Sequence, residues 1–256
     1  MKKNLIFILI FIFIFSFSCT FNLFEGSVES NYRSIKTPSE KIEYARQILA
    51  AGDPEKIKTI IALLEDDIRN NVFSGPDLAA ANQIIGNLII ADSGFNDYIA
   101  NAITEIISSQ GGEEEPNLML AILDSNGDGQ VDSSDMDAFG EMMSQLAAAA
   151  DYINVAATED QTNVDLQFQN VIANFAAAVV TISDDLSDPQ KQQEFQDYLN
   201  GTGPEPDFIS EIQQNLNNIQ SSVQNMLYAP EGTFYYDIAQ MLNEMFAGLN
   251  PESIGG

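Results

Sequence analysis

The chain has no histidine and no tryptophan, a single cysteine, and ten basic residues against 38 acidic ones. Histidine is the commonest general base, and its absence excludes the usual catalytic triads and nearly all zinc sites. One cysteine cannot form an internal disulfide. The net charge of −28 repels phosphate backbones and attracts cations, so we expect no nucleic acid among the partners.

Motifs of catalysis are equally scarce. The sequence contains no G-x-S-x-G elbow, no P-loop and no G-x-G-x-x-G run. Neighbouring carboxylates such as Asp184 and Asp185 occur, but in a chain with 38 acids they indicate a solvated face. The sequence therefore predicts a protein that is not an enzyme.

The first residues have the layout of an export signal. Two lysines at positions 2 and 3 precede an unbroken apolar run from Leu5 to Phe15, and Ser18 precedes Cys19. Eleven helical residues cover about 17 Å, which is short of the roughly 30 Å hydrocarbon core of a bilayer. The run therefore predicts a signal sequence and not a spanning helix.

A basic start, an apolar centre, a small residue and then cysteine resemble the signal peptide of bacterial lipoproteins, in the relaxed form of spirochaete-like members. The resemblance implies removal of residues 1–18 and acyl chains on Cys19, which would attach the protein to a membrane of the cell envelope. Because Thr20 replaces the aspartate that retains some lipoproteins at the inner membrane, we expect the outer membrane or cell surface. Plain secretion and an uncleaved anchor remain the alternatives.

The rest of the chain has helix signals throughout. Thr37-Pro38-Ser39-Glu40 is a capping box, Gly52 ends that helix, and Asp53-Pro54 begins the next. Apolar residues recur at helical spacing, as in Ile57, Ile60, Ile61 and Leu64, and no stretch alternates with period two. We predict an all-α bundle or irregular array of about nine to ten helices.

Breaks in the pattern suggest the domain organisation. Residues 19–36 lack helical periodicity and are predicted to be a flexible tether. Residues 37–110 are predicted to form helical pairs, which Gly111-Gly112 separates from a C-terminal helical region, 111–256. Residues 37–256 as one domain, and true helical repeats in the first part, both stay open.

One acidic loop, residues 124–135, has a spacing that suits a cation. Alternate oxygen-bearing side chains in a tight turn can point at one centre, a glycine permits the turn, and the next residue offers its carbonyl. Val131 is expected to pack between the flanking helices. The candidate ligands are Asp124, Asn126, Asp128, Gln130, Asp132 and Asp135.

This loop resembles the calcium loop of EF-hands, and more closely the dockerin type, which ends on aspartate. The resemblance covers under a tenth of the chain and implies Ca²⁺ held between two helices, with Asp135 closing the coordination. An acidic helix–loop–helix turn without an ion is the alternative, since Asn-Gly and Asp-Gly are also turn dipeptides.

These features predict a lipid-anchored extracytoplasmic helical protein with one structural calcium ion. Its expected role is non-catalytic: binding of an unknown protein or small molecule, scaffolding, or assistance to envelope transport. The alternatives are an envelope hydrolase using carboxylates, which a pocket of convergent acids would favour, and a calcium-dependent adhesion or dockerin-like docking protein. Phe234-Tyr235-Tyr236 at a helix start predicts packing or an interface, and an apolar surface patch would favour a partner protein.

Overall fold

The computed structural model describes residues 27–98, 100–101, 123–124 and 128–248. Within these residues all regular structure is helical, and residues 95–98 and 100–101 are also helical. The predicted all-α array of nine to ten helices is confirmed. The helices are α1 (Val28–Ser34), α2 (Pro38–Ala51), α3 (Pro54–Arg69), α4 (Pro76–Asp92), α5 (Ser133–Glu159), α6 (Val164–Ser187), α7 (Pro189–Leu199), α8 (Asp207–Met226) and α9 (Phe234–Gly248).

The helix starts follow the capping residues of the sequence. The Thr37 hydroxyl accepts a hydrogen bond from the Glu40 N–H and donates one to the Glu40 carboxylate, which completes the predicted cap of α2. Gly52 ends this helix with a φ of 64°, a conformation that glycine adopts without strain. The Asp53 carboxylate accepts from the Lys56 N–H and ion-pairs with the Lys56 ammonium, and these contacts lower the pKa of Asp53.

The predicted tether is wrong where the structure describes it, because Val28–Ser34 form α1. Ser27 caps this helix, and Val28 and Tyr32 are buried. The Tyr32 hydroxyl donates to the Asp67 carboxylate of α3 at 2.6 Å, and the Lys41 ammonium lies 4.7 Å from the Tyr32 ring centroid. Contacts of Tyr32 with distant residues therefore stabilise α1, whose sequence shows helical spacing of apolar residues over one turn only. Residues 1–26, including the signal and Cys19, lie outside the described residues.

The chain divides into two compact units, residues 1–73 and 74–256. In the first, α1 and α2 pack against α3; in the second, α4 packs on α5 and α6 packs on α5, α7, α8 and α9. The predicted boundary near Gly111 lies outside the described residues. The observed division falls earlier in the chain because α4 belongs with α5.

The charged residues are distributed unevenly between the two units. Residues 1–73 contain nine basic and nine acidic residues, whereas residues 74–256 contain 29 acidic residues and one basic residue, Lys191. The whole net charge of −28 therefore belongs to the second unit. Its field selects cations and positively charged partners.

Alanine and glycine let the helices of the second unit pack closely. Ala149, Ala150, Ala156 and Ala157 of α5 are buried, together with Ala173 of α6. On α4, Gly86 faces the buried Ile153 of α5 so closely that a Cβ built on Gly86 would lie 2.4 Å from Ile153 Cγ1. The close contact between α4 and α5 thus requires glycine, which has no side chain, at position 86.

Gly86→Val is expected to lower the free energy of unfolding by about 2 kcal/mol, because overpacking a filled core outweighs the gain in helix propensity. Chemical unfolding followed by circular dichroism would measure this loss. The matched control is Gly140→Ala on α5, where no atom lies within 4 Å of the added Cβ. That change is expected to stabilise by roughly 0.5–1 kcal/mol, and equal effects of the two substitutions would contradict the close contact.

Helix α6 is the one helix among the described residues that is long and apolar enough, by length and composition, to cross a membrane. The core helix of a folded domain meets the same criterion. Here α6 packs against α5, α7, α8 and α9 and buries three amide side chains, Gln167, Asn170 and Asn174. Its apolar composition is accounted for by its central position in the second unit.

Candidate functional site

In the described part of the acidic loop, two backbone N–H groups bond to the carboxylate of Asp124. Asp124 Oδ1 accepts the N–H of Asp128 at 3.1 Å, and Oδ2 accepts the N–H of Gly129 at 2.7 Å. Gly129 has a φ of 84°, so the predicted tight turn at the sixth loop position is present. Asp128 Oδ1 then accepts the Gln130 N–H at 2.9 Å. Asn126, the second predicted ligand, lies outside the described residues.

The end of the loop is fixed by the start of α5. Asp132 Oδ1 accepts the N–H groups of Ser134 at 2.8 Å and of Asp135 at 3.4 Å. In return, Asp135 Oδ2 accepts the Asp132 N–H at 3.0 Å, which makes a reciprocal capping box. Both carboxylates therefore lie at the positive end of the α5 dipole.

Asp135, the last position of the loop, is fully buried, although residues 128–134 before it are exposed. Burial, and then the Asp135 charge, raises the pKa of Tyr98. The Tyr98 ring packs edge-on against Phe139 of α5 with centroids 6.2 Å apart, and both rings contact a cluster around Met142 and Leu146. The loop is thus joined through Asp135 to the apolar core of the second unit.

The donor set of this loop fits a hard cation such as Ca²⁺, which prefers carboxylate and carbonyl oxygens. In the residues that the structure describes, however, no three carboxylates converge as a metal-binding group. Asp124, Asp128 and Asp132 accept backbone N–H groups, and an ionised carboxylate has about four lone-pair sites, so ion binding can add to these bonds. The expected packing of Val131 between helices is wrong, since this side chain is 40% exposed.

An acidic cavity of about 450 Å³ lies between α6, α7 and α8. The Lys191 ammonium ion-pairs with the buried Asp185, and this bond, with the charges of Asp185, Asp188 and Glu211, raises the pKa of Lys191. The one basic residue of the second unit is therefore already paired. The other acidic residues lining the cavity are Asp184, Glu194, Asp207 and Glu211.

A row of buried amides joins α5, α6 and α8, and sequence reasoning missed it. Asn174 Nδ2 donates to Asn154 Oδ1 and to Asn170 Oδ1, both at 2.9 Å, and Asn174 Oδ1 accepts from Asn218 Nδ2 at 2.9 Å. One turn away, Asn170 Nδ2 donates to Ser222 Oγ at 2.9 Å. The signal was present, because amides recur at the spacing of a helix face along α6.

Comparison of the chain with family models, with curated proteins and with solved structures finds no match in any of the three.

Proposed function

We propose that the protein is a lipid-anchored helical protein of the cell envelope that binds one structural calcium ion and acts without catalysis, as a binding or scaffold protein. The leader and Cys19 support the anchor, which the acyl chains would supply at the outer membrane or cell surface. The observation that carries the calcium proposal is the acidic loop, which turns at Gly129 and ends on the buried Asp135.

The ligands would be the side chains of Asp124, Asn126, Asp128, Asp132 and Asp135 with the Gln130 carbonyl. When bound, the ion would supply positive charge that links these oxygens across the loop. The chain's own residues prepare the loop, because Asp124 holds the turn and the Asp132–Asp135 capping box starts α5. Because Asp135 is in the core, ion binding would stabilise the second unit.

A second candidate, an envelope hydrolase that uses carboxylates, is favoured by the acidic cavity between α6, α7 and α8. Acid–base hydrolysis needs two carboxyl groups in different protonation states on either side of a substrate. The buried Asp185 is bound by Lys191, and the cavity holds mostly exposed acids on a highly acidic unit. The binding or scaffold role is therefore the better supported of the two.

Calcium is expected to raise the melting temperature of the wild-type chain. At ten times the dissociation constant, the linkage relation gives about 1.4 kcal/mol of added stability. For a unit of this size that is about 4 °C. Thermal unfolding by circular dichroism, with chelator and then with a calcium titration to about 10 mM, covers the range of weak extracellular sites.

Asp128→Ala is expected to abolish this gain, because it removes a loop oxygen ligand. The matched control is Asp137→Ala, which removes an exposed acid of α5 two residues beyond the loop and is expected to keep the gain. Identical melts in chelator and calcium would contradict the site. Equal gains in both variants would show that calcium acts only by screening the overall charge.

A further inference from the structure

Large apolar side chains lie in water along one side of α9 and on the neighbouring part of α6. Phe234, Met241 and Met245 of α9 are 60%, 55% and 59% exposed, and Phe175 of α6 is 60% exposed. Positions 234, 241 and 245 are spaced by seven and four residues, so they lie on one helix face. We call these four side chains the apolar ridge.

Aromatic contacts connect the two parts of the ridge. The Phe234 ring lies 5.7 Å from the ring of Phe168 of α6, and both contact Tyr235, whose hydroxyl donates to Asp165. Phe168 and Phe175 are seven residues apart and thus on the same side of α6. The ring contact of Phe234 with Phe168 thus links the start of α9 to the side of α6 that carries Phe175.

The other faces of α9 contact the rest of the second unit. Ala239 is buried with Val171 of α6 and Val223 of α8, and Leu242 packs against them. The opposite flank is polar, because Gln224 donates to Asn243 at 2.8 Å beside a cavity lined mainly by amides. The apolar ridge is thus an additional apolar face that the core of the second unit does not use.

The ridge has the area of a helix-binding site and not of a dimer interface. With about 200 Å² for each fully exposed side chain, the four residues expose roughly 450 Å². Patches of about 300–600 Å² on monomers are often functional. A stable dimer buries about 800 Å² on each partner, so a second copy of this chain would be held by about half of the usual area.

Charge decides which kind of helix fits. Asp165, Asp237 and Glu244 are exposed beside the ridge, and the one basic residue of the second unit, Lys191, is bound to Asp185. The second unit of another copy would bring its 29 acidic residues against the same 29, and an anionic lipid surface would be repelled in the same way. A helix with apolar anchors would cover the ridge, and positive residues on its flanks would pair with the acidic residues beside the ridge.

We propose that the apolar ridge binds a basic amphipathic helix of a partner protein. The anchors of such a helix, at positions i, i+3, i+4 and i+7, would cover Phe175, Phe234, Met241 and Met245. Its lysines or arginines would face Asp165, Asp237 and Glu244. The ridge shares no residue with the acidic loop, so we expect it to bind such a helix without calcium.

The test uses a fluorescein-labelled Leu/Lys peptide of about 14 residues, which is about four helical turns, and its Leu/Glu counterpart. Fluorescence anisotropy with the purified full-length chain is expected to show binding of the Leu/Lys peptide alone. The double variant Met241→Gln, Met245→Gln is expected to weaken this binding about tenfold, or roughly 1.4 kcal/mol. Both positions are exposed, and circular dichroism checks that the variant folds.

Leu199→Gln is the matched control, because Leu199 of α7 is also 60% exposed but lies off the ridge. This variant, and Asp128→Ala in the acidic loop, are expected to bind the peptide as the wild type does, so failure of the ridge is distinguishable from failure of the calcium site. Equal peptide affinity in the wild type and the double variant would overturn the proposal, since charge alone would then explain binding. A dimer in sedimentation, or binding to phosphatidylcholine vesicles, that the double variant loses would overturn it in favour of a second copy or a lipid surface.

Discussion

Asn174→Asp is expected to lower the free energy of unfolding by about 4 kcal/mol at neutral pH, which is the scale of an uncompensated buried charge. Asn174 has no exposed surface and lies where α5, α6 and α8 meet. Its Nδ2 donates to Asn154 Oδ1, Asn170 Oδ1 and the Asn170 carbonyl. In a carboxylate here, the oxygen that replaces Nδ2 would face these acceptors, and none of the described residues that bond to Asn174 is a cation.

The effect should also depend on pH. Burial disfavours the charged form, so the folded-state pKa of the new carboxyl group would be raised above its unfolded value. The folded variant then binds more protons than the unfolded one, and stability falls as pH rises through the window between the two pKa values. The variant is therefore expected to regain part of the lost stability at acidic pH, where the group is neutral.

Urea unfolding followed by circular dichroism measures this change, because the chain has no tryptophan for fluorescence. Asn217→Asp is the matched control, since it makes the same substitution at an exposed position of α8. Its effect is expected to stay within about 0.5 kcal/mol. Similar losses in the two variants would contradict the buried amide row as a determinant of stability.

The helix content could be predicted because its signals are local. Thr37, Asp53 and Asp188 each precede a proline, and each caps the helix that begins there. Side-chain oxygens close to free N–H groups act within one turn, so the sequence contains all that is needed. The turn at Gly129 could be predicted for the same reason, since it depends on a few neighbouring residues.

Contacts between distant segments could not be predicted in this way. The helix at Val28–Ser34 depends on Tyr32 reaching Asp67, 35 residues away. The placement of α4 with α5 depends on the fit of Gly86 to Ile153. The spacing of residues along the sequence does not reveal either pair as a contact, because each partner alone is an ordinary helix residue. The burial of Asp135 is a third case, since the loop spacing indicates a ligand whether the side chain lies in water or in the core.

The amide row shows a signal that was available but ambiguous. Gln167, Asn170 and Asn174 follow a helix face, and so do Asn218, Ser222 and Asn225 on α8. A polar stripe on an apolar helix usually faces water. Here two such stripes face one another, and their hydrogen bonds set the register of α6 against α8. Two helices with matching amide stripes and few charges are therefore a pattern that indicates a buried polar contact.

Cys19→Ser is expected to abolish incorporation of radiolabelled palmitate, an all-or-none effect. Cys19 is the one cysteine of the sequence, so no other thiol can take a thioether-linked lipid. The same variant should leave the membrane fraction. Each buried acyl CH₂ contributes about 0.8 kcal/mol to membrane binding, and the net charge of −28 gives no attraction to anionic lipid.

The matched control is Ser18→Ala, which keeps a small residue directly before the cysteine and is expected to retain the label. Metabolic labelling, immunoprecipitation and membrane fractionation would compare the two variants with the wild type. Palmitate retained by Cys19→Ser would contradict lipidation at this residue. An unlabelled wild type that stays in the membrane would indicate an uncleaved anchor, and an unlabelled wild type in the medium would indicate plain secretion.

Because the 29 acids of the second unit repel anionic lipid, the anchor and the charge together would hold that unit away from the membrane surface, with the apolar ridge open to a basic partner.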